Sequence, residues 1–273
     1  MPELPELQAH AERLGRDFGG AVLEGFRSLS ITTMKTVAPD GVLAVGHALV
    51  GVDRRGKYLL LDFAALTFAV HLMQGGRLKP DAKQAPRPGG GLARWRFTDG
   101  RALLLTEAGR ERRAGVWTDP EKATAGLGPE ALAVNGRDLS ALFAAHSMRL
   151  HGFLRDQGII AGIGRRLANE ICHTAKLSPF ASTGRLGPPE AAAVVAAIHA
   201  CIEEGLVYER GRQDMSSSAD RPGRVHGRAG QPCPVCGDDV RAVSYSAYTV
   251  NYCATCQTSG KVLADNTTSR FLK

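Results

Sequence analysis

Cys233, Cys236, Cys253 and Cys256 fall in the pattern C-x2-C-x16-C-x2-C, and no other feature of this 273-residue chain restricts its local folding as tightly. Two CxxC knuckles at that separation can close a tetrahedral thiolate site around a single ion. Zinc is the expected metal, as one structural ion, because four thiolates leave no open coordination position. Iron in a rubredoxin-like site is the competing metal. Valines and tyrosines between Val240 and Val250 suit a hairpin joining the knuckles, so the metal would hold a module that lacks its own core. Cys172 and Cys201 lie apart in helical patterns and are expected to be small core residues.

The rest of the chain divides by pattern. Leu4, Leu7, Ala11 and Leu14 recur at helical spacing, which predicts an amphipathic helix from residue 2 to about 18, ending near Gly19-Gly20 and carrying Pro2 and Glu3 on its first turn. Short apolar runs follow to about Thr118 (around 21–23, 58–61, 67–70, 95–97 and 103–105). Glycine-rich turns separate them, as in an antiparallel sandwich or barrel. QAPRPGGG at 84–91 is the conspicuous flexible loop. Beyond Pro120 the pattern is helical, with segments expected at 129–134, 138–146, 149–157, 165–175 and 188–204, the last stopping at Gly205. The polar stretch from Gly211 to Gly230 reads as a linker or mobile loop.

Three units are expected: 1–125, 126–229 and 230–273. No apolar run approaches the roughly 20 residues of a membrane span and no leader pattern precedes Pro2, so a soluble cytoplasmic protein is expected, monomeric by default. A net charge of +7 favours a polyanionic partner. From Arg221 to Lys273 seven basic residues face three aspartates, a net of +4, so the cysteine module is itself suited to phosphates.

The opening MPELPE offers reactive chemistry. Removal of Met1 would leave a secondary amine at Pro2 beside the Glu3 carboxylate. Such an amine attacks an aldehyde-like carbon and becomes a cationic iminium, and an α-amino group is partly neutral at pH 7. Glu3 is placed to move protons there. The competing explanation is that Pro2 and Pro5 merely open a helix. Further along, Gly162 and Gly164 in AGIG can bring backbone N–H groups to an anion at a helix start, although a plain helix–helix turn explains them equally well. Arg165 and Arg166 favour the phosphate contact. Lys57, after Arg54-Arg55-Gly56, and the pair Arg112-Arg113 fit either anion contacts or solvated turns.

Taken in order, MPELPE, RRGKYLLLDF at 54–63, HLMQGGRL at 71–78, DQGIIAGIGRRLANE at 156–170 and CPVC…YCATCQ resemble the formamidopyrimidine-DNA glycosylase and endonuclease VIII family over essentially the whole chain. The resemblance implies an α+β, multidomain protein: an N-terminal helix on an antiparallel β-sandwich, a helix-two-turn-helix domain, and a C-terminal zinc finger with a β-hairpin. It implies base-excision repair of damaged DNA, in which a damaged, usually oxidised base is removed and the abasic site is nicked by β,δ-elimination. No small-molecule cofactor is implied.

By the same resemblance Pro2 is the nucleophile at C1′, Glu3 the acid/base that assists ring opening, Glu6 a supporting acid, and Lys57 a phosphate ligand. Glu170 falls in the DNA-binding helix, with Arg113 among the DNA-contacting positions. Departures from the pattern cluster at recognition positions. Tyr248 stands where a hairpin arginine is usual, Arg165 where an asparagine is usual, and His151 where a lysine is usual. Gln74, Arg112 and Ala114 occupy places that fill the hole left by a flipped base, with Met73 able to take over the wedge. The loop from Gly205 to Arg228 looks short for one that cages 8-oxoguanine. Two rivals follow: a damage-recognition DNA-binding protein with weak or lost glycosylase activity, and a tautomerase using Pro2 as a base.

Overall fold

The structure is a computed structural model that describes residues 1–109, 112–215, 220–245 and 248–263. The tip of the cysteine hairpin, part of the 211–230 stretch and the basic end of the chain (Arg270, Lys273) fall outside these ranges. Two compact units emerge, Met1–Gly126 with Glu209–Ser216, and Leu127–Tyr208 with Ser217–Lys273.

In the first unit, α1 (Leu4–Phe18) buries Leu4, Leu7, Ala11, Leu14 and Phe18 and packs on β2 (Gly51–Arg55) and β3 (Tyr58–Asp62). The helix starts later than its apolar spacing suggests. Glu3 is the N-cap and Pro2 precedes it, so neither lies on the first helical turn. Pro5, near the start, loses nothing there because its missing N–H would have had no helical acceptor.

Two antiparallel four-stranded sheets enclose the core. One runs β1 (Leu23–Ser28), β6 (Gly91–Phe97), β7 (Ala102–Glu107), β5 (Gly76–Pro80); the other runs β2, β3, β4 (Thr67–His71), β8 (Gly115–Trp117). Between them Phe26, Phe68 and Trp95 pack ring against ring, with centroids 4.7 to 5.7 Å apart. Strands β2, β5 and β8, absent from the sequence expectation, are all sheet edges, where polar or short strands suffice and the apolar signal is weakest. The 84–91 loop is pinned at its base. Arg94 Nε lies 2.8 Å from Asp81 Oδ2 in a buried ion pair, and Arg94 also donates to Ala85 O at 2.7 Å.

In the second unit, α3 (Gly136–Ala145), α4 (Leu150–Arg155), α5 (Arg165–Thr174) and most of α6 (Pro188–Arg210) form the helical part; the earlier, short α2 (Pro120–Thr124) belongs to the first unit. No helix forms at 129–134. Glu130 instead bridges to Ala161, with Ala161 N donating to Pro129 O at 2.8 Å, so the segment braces the glycine turn. Helix α6 runs through Gly205 to Arg210, since Leu206 on its buried face keeps it packed.

Against the expectation of no long apolar run, α6 is 23 residues long and apolar enough, by length and composition, to cross a membrane. Ala191, Val194, Ile198, Cys201 and Ile202 are buried at helical spacing, the pattern of a core helix. Hairpin β9 (Val240–Ser244) and β10 (Thr249–Cys253) joins the knuckles as expected, followed by α7 (Ala254–Thr258). Cys172 and Cys201 are buried thiols, and burial pushes Cys201 up to about 11.

Candidate functional site

Glu3 and Glu6 open α1 as a reciprocal capping box. The Glu3 carboxylate accepts from the backbone of Glu6, while Glu3 N donates to Glu6 Oε2 at 2.9 Å. Each side chain thereby satisfies a helix-start N–H that has no partner within the helix. Both carboxylates are buried, and Pro2 is buried immediately before them. Glu3 is thus fixed next to Pro2 by the helix itself. Met1, the residue whose removal would free the amine, is 46% exposed.

Lys57 occupies the two-residue turn between β2 and β3, opened by Gly56 at φ +55°, where a lysine would ordinarily be solvated. Here it is buried. Arg54 holds the turn, donating to Gly56 O at 2.9 Å and reaching Gln8 Oε1 of α1 at 3.3 Å, so the start of α1 and the Lys57 turn are braced together. His71 is pushed down to about 4, first by burial and then by the Lys57 ammonium, and its neutral ring contacts Tyr58 edge-on. Its Nδ1 accepts from Met73 N at 3.1 Å, fixing Met73 at φ +51°.

Gln74, in the same turn, is exposed. The buried Glu107 carboxylate accepts from Ala114 N at 2.7 Å, which holds the 112–114 segment, and its side chain lies close against Gly75, where a Cβ would be 3.4 Å from Glu107 Cγ. Arg112 and Arg113 are exposed, whereas Ala114 is buried in the core and offers no side chain for filling a hole in DNA.

In the second unit the glycine turn is clipped by Gln157, which donates to Arg155 O and Ile163 O, both at 2.8 Å, and accepts from Gly162 N at 3.0 Å. Gly162 at φ +101° needs a residue without a Cβ. Gly164 is the N-cap of α5, with no side-chain cap.

Beside this turn is a column of rings: His151 stacks on Tyr248 (5.9 Å, 13°) and Tyr248 on Tyr245 (4.8 Å, 17°). Arginines surround the column. The Arg155 guanidinium lies 4.2 Å and that of Arg165 6.0 Å from the Tyr248 centroid, while Arg149 donates to the Tyr245 hydroxyl at 2.6 Å. Among the described residues no carboxylate pairs with Arg149, Arg155 or Arg165. His151 is pushed down to about 3, chiefly by burial and next by Arg155, so it adds a neutral ring beneath Tyr248 instead of a charge at the surface. Glu170 also points inward: its carboxylate accepts from Arg224 N (2.7 Å), Val225 N (3.1 Å) and His226 N (2.8 Å). Those bonds hold part of the stretch expected to be a loose linker, and Val225 packs with Cys233, Val240 and Cys253.

The sulfurs of Cys233, Cys236, Cys253 and Cys256 all lie within 4.8 Å of one another, with Cys233–Cys256 at 3.9 Å and Cys236–Cys253 at 3.4 Å. Four thiolates about 2.3 Å from one tetrahedral ion are separated by roughly 3.8 Å, so the set fits a structural metal site. Asp238 braces the two knuckles, its Oδ2 accepting from Thr255 Oγ1 at 3.0 Å and its backbone O from Cys233 N at 2.8 Å.

The formamidopyrimidine-DNA glycosylase N-terminal domain is matched by residues 1–117. A formamidopyrimidine-DNA glycosylase of Methylococcus capsulatus is 31% identical over 278 residues, which span 94% of this chain and 100% of the relative. The chain belongs to the formamidopyrimidine-DNA glycosylase family. A formamidopyrimidine-DNA glycosylase-like protein of Mycobacterium tuberculosis, itself uncharacterized, is 44% identical over 149 residues, 54% of this chain and 94% of that protein. The fold is shared with the Lactococcus lactis enzyme solved with abasic-site DNA (TM-score 0.82, 18% identity, 94% of this chain and 99% of that one). It is shared equally with the same enzyme solved with DNA containing an oxidised pyrimidine (TM-score 0.82, 20% identity, 94% and 100%).

Within this glycosylase-family fold, Pro2, Glu3 and Glu6 come together at one helix start, and Gly162, Gly164, Arg165, His151 and Tyr248 gather at one turn. Arg149, Arg155, Tyr245, Arg54 and Glu107 were not singled out from the sequence. Arg155 had a signal there, standing four residues after His151 and hence on the same face of α4.

Proposed function

We propose that the protein is a bifunctional DNA glycosylase and abasic-site lyase acting on damaged, oxidised bases in base-excision repair. The observation that carries this reading is the Glu3–Glu6 capping box, which sets a buried carboxylate beside Pro2. The Pro2 amine attacks C1′ of a nucleotide flipped out of the stack, and the base leaves. Glu3 assists opening of the deoxyribose ring. The resulting C1′ iminium acidifies the C2′ protons, and loss of one expels the 3′ phosphate by β-elimination; the conjugated iminium then acidifies the C4′ proton, whose loss expels the 5′ phosphate by δ-elimination. Lys57 binds a phosphate near the lesion, and Glu6 supports Glu3.

Strand contacts come from Gly162, Gly164 and the Arg149, Arg155 and Arg165 guanidiniums around Tyr245 and Tyr248. Three cations that no carboxylate among the described residues neutralises, beside stacked rings, suit a phosphodiester backbone with its bases. Gln74, Arg112 and Arg113, all exposed, are assigned to the space left by the flipped base and to the neighbouring strand. Zinc is assigned to the four cysteines, the protein to the cytoplasm, and its working state to a monomer on DNA. Borohydride trapping on abasic-site DNA tests the chemistry.

Burial of Ala114 gives the rival some support, since one void-filling side chain is missing. Salt-sensitive DNA binding with no nicking of abasic or oxidised substrates would favour a damage-recognition protein.

A further inference from the structure

Helix α5 carries an unusual buried face. Arg166, Asn169, Glu170 and His173 follow one another at spacings of three, one and three, so they share one side of the helix, and each is 6% exposed or less. A buried helix face is ordinarily apolar, because a polar group taken from water must recover its hydrogen bonds. Here the bonds go to the cysteine module and the strand of chain leading into it. Arg166 donates to Arg221 O, and Glu170 accepts the three amides of 224–226. Asn169 reaches His226 Nδ1 at 2.8 Å and accepts from Asn251 N of β10 at 3.4 Å. Beyond the helix end, Gln257 donates to Leu177 O at 2.9 Å while accepting from Cys253 N at 2.8 Å.

On this face His173 reaches a candidate metal ligand. Its Nε2 lies 3.3 Å from Cys233 Sγ, with both residues almost wholly buried. A metal-bound thiolate has no proton to give, so the contact is favourable only if Nε2 carries hydrogen and the sulfur accepts. Four thiolates on one divalent ion leave a net charge of −2, and at the buried Cys233 sulfur a donor offsets part of it. Partners of this kind outside the ligand set orient the ligands and tune the metal.

We infer that His173 is a positioning residue for the metal: its Nε2–H donates to the Cys233 thiolate and ties the cysteine module to the helix that begins at the Gly162–Gly164 turn. The inference concerns metal retention and is independent of the DNA chemistry proposed for Pro2.

Zinc release to a chromogenic chelator, measured on the full chain, tests it. His173→Phe, which keeps a ring and removes the donor, should weaken zinc retention by roughly 10- to 100-fold. His173→Gln, which keeps an N–H, should fall between it and the parent. In the cobalt-substituted protein, His173→Phe should move the sulfur-to-cobalt charge-transfer bands to lower energy, because a sulfur relieved of its hydrogen bond gives up electrons more readily. Parent-like release and parent-like bands in His173→Phe would overturn the inference. Nitrogen-15 NMR of the zinc-loaded parent supplies a reading that needs no variant to fold. A proton on Nε2 of His173 is expected, and a proton on Nδ1 alone would overturn the inference.

Discussion

The guanidinium of Arg155 lies over the face of Tyr248, 4.2 Å from the ring centroid, with His151 stacked on the same ring. A cation held on a ring keeps its charge while losing rotational freedom, an arrangement worth about 0.5–2 kcal/mol. Tyr248 therefore aims a charge that it does not itself carry. Arg155→Gln should weaken binding to abasic-site DNA and lower the salt dependence of log K by about one phosphate contact. Tyr248→Ala should behave similarly, whereas Tyr248→Phe, which keeps the ring, should stay near the parent. Binding titrations between 50 and 200 mM salt check this. Equal slopes for parent and Arg155→Gln would remove Arg155 from the interface.

Glu170 is a structural acceptor with three backbone donors. Glu170→Ala removes the acceptor of the buried Val225 N–H and of the partly buried Arg224 and His226 N–H groups and should cost about 1–3 kcal/mol of stability. Gly223 sits tightly beside it, since a Cβ there would lie 2.9 Å from Glu170 Oε1. Urea denaturation and amide exchange at 224–226 give the measurement; an unchanged midpoint with slow exchange would contradict the assignment.

Three desolvated histidines, His10 and His151 buried and His71 partly so, make folding sensitive to acid. His10, whose Nε2 lies 2.7 Å from Leu78 O, and His71 are both pushed down to about 4 by burial, and His151 to about 3. The unfolded chain takes up these protons near pH 6.5 while the folded protein still excludes them, so stability is fully present above pH 6.5 and is lost as pH falls toward 4. The slope approaches roughly 1.4 kcal/mol per pH unit for each histidine within that window. Urea midpoints at pH 7.5, 6 and 5 should decline accordingly, and His10→Gln should flatten the decline. A flat profile would mean that these rings are solvated.

Gly162→Ala places a Cβ on a residue at φ +101° and should cost about 1–2 kcal/mol through strain at that residue. Because Gln157 clips the same turn, DNA affinity should fall along with the melting temperature. Loss of stability with unchanged affinity would show that the turn does not touch the strand.

Much of this organisation was legible in the sequence because it rests on local rules. The cysteine spacing announced the hairpin, helical spacing announced α1, and the strongly apolar runs became inner strands. Edge strands β2, β5 and β8 were hidden by their polar or short sequences. The inward turn of His151 and Glu170 was hidden for a different reason. Each is satisfied by partners far along the chain, 97 residues away for Tyr248 on His151 and 54 to 56 residues away for the amides on Glu170, and no local pattern encodes such contacts. The capping box is the instructive middle case. S/T-x-x-E is its usual signature, and Glu3-Leu4-Pro5-Glu6 builds it from two carboxylates, so a helix-start device and a candidate acid/base are the same residues.

The most direct test of the account is borohydride trapping of the correctly processed protein, lacking Met1, on DNA that contains one abasic site. Reduction of the iminium should leave a protein–DNA adduct whose tryptic digestion locates the sugar on the N-terminal peptide at Pro2. Glu3→Gln should slow strand nicking by two to four orders of magnitude, in keeping with loss of a general acid/base. Absence of any adduct from processed, DNA-binding protein, or an adduct mapped to a lysine such as Lys57, would contradict the assignment of Pro2 as the nucleophile.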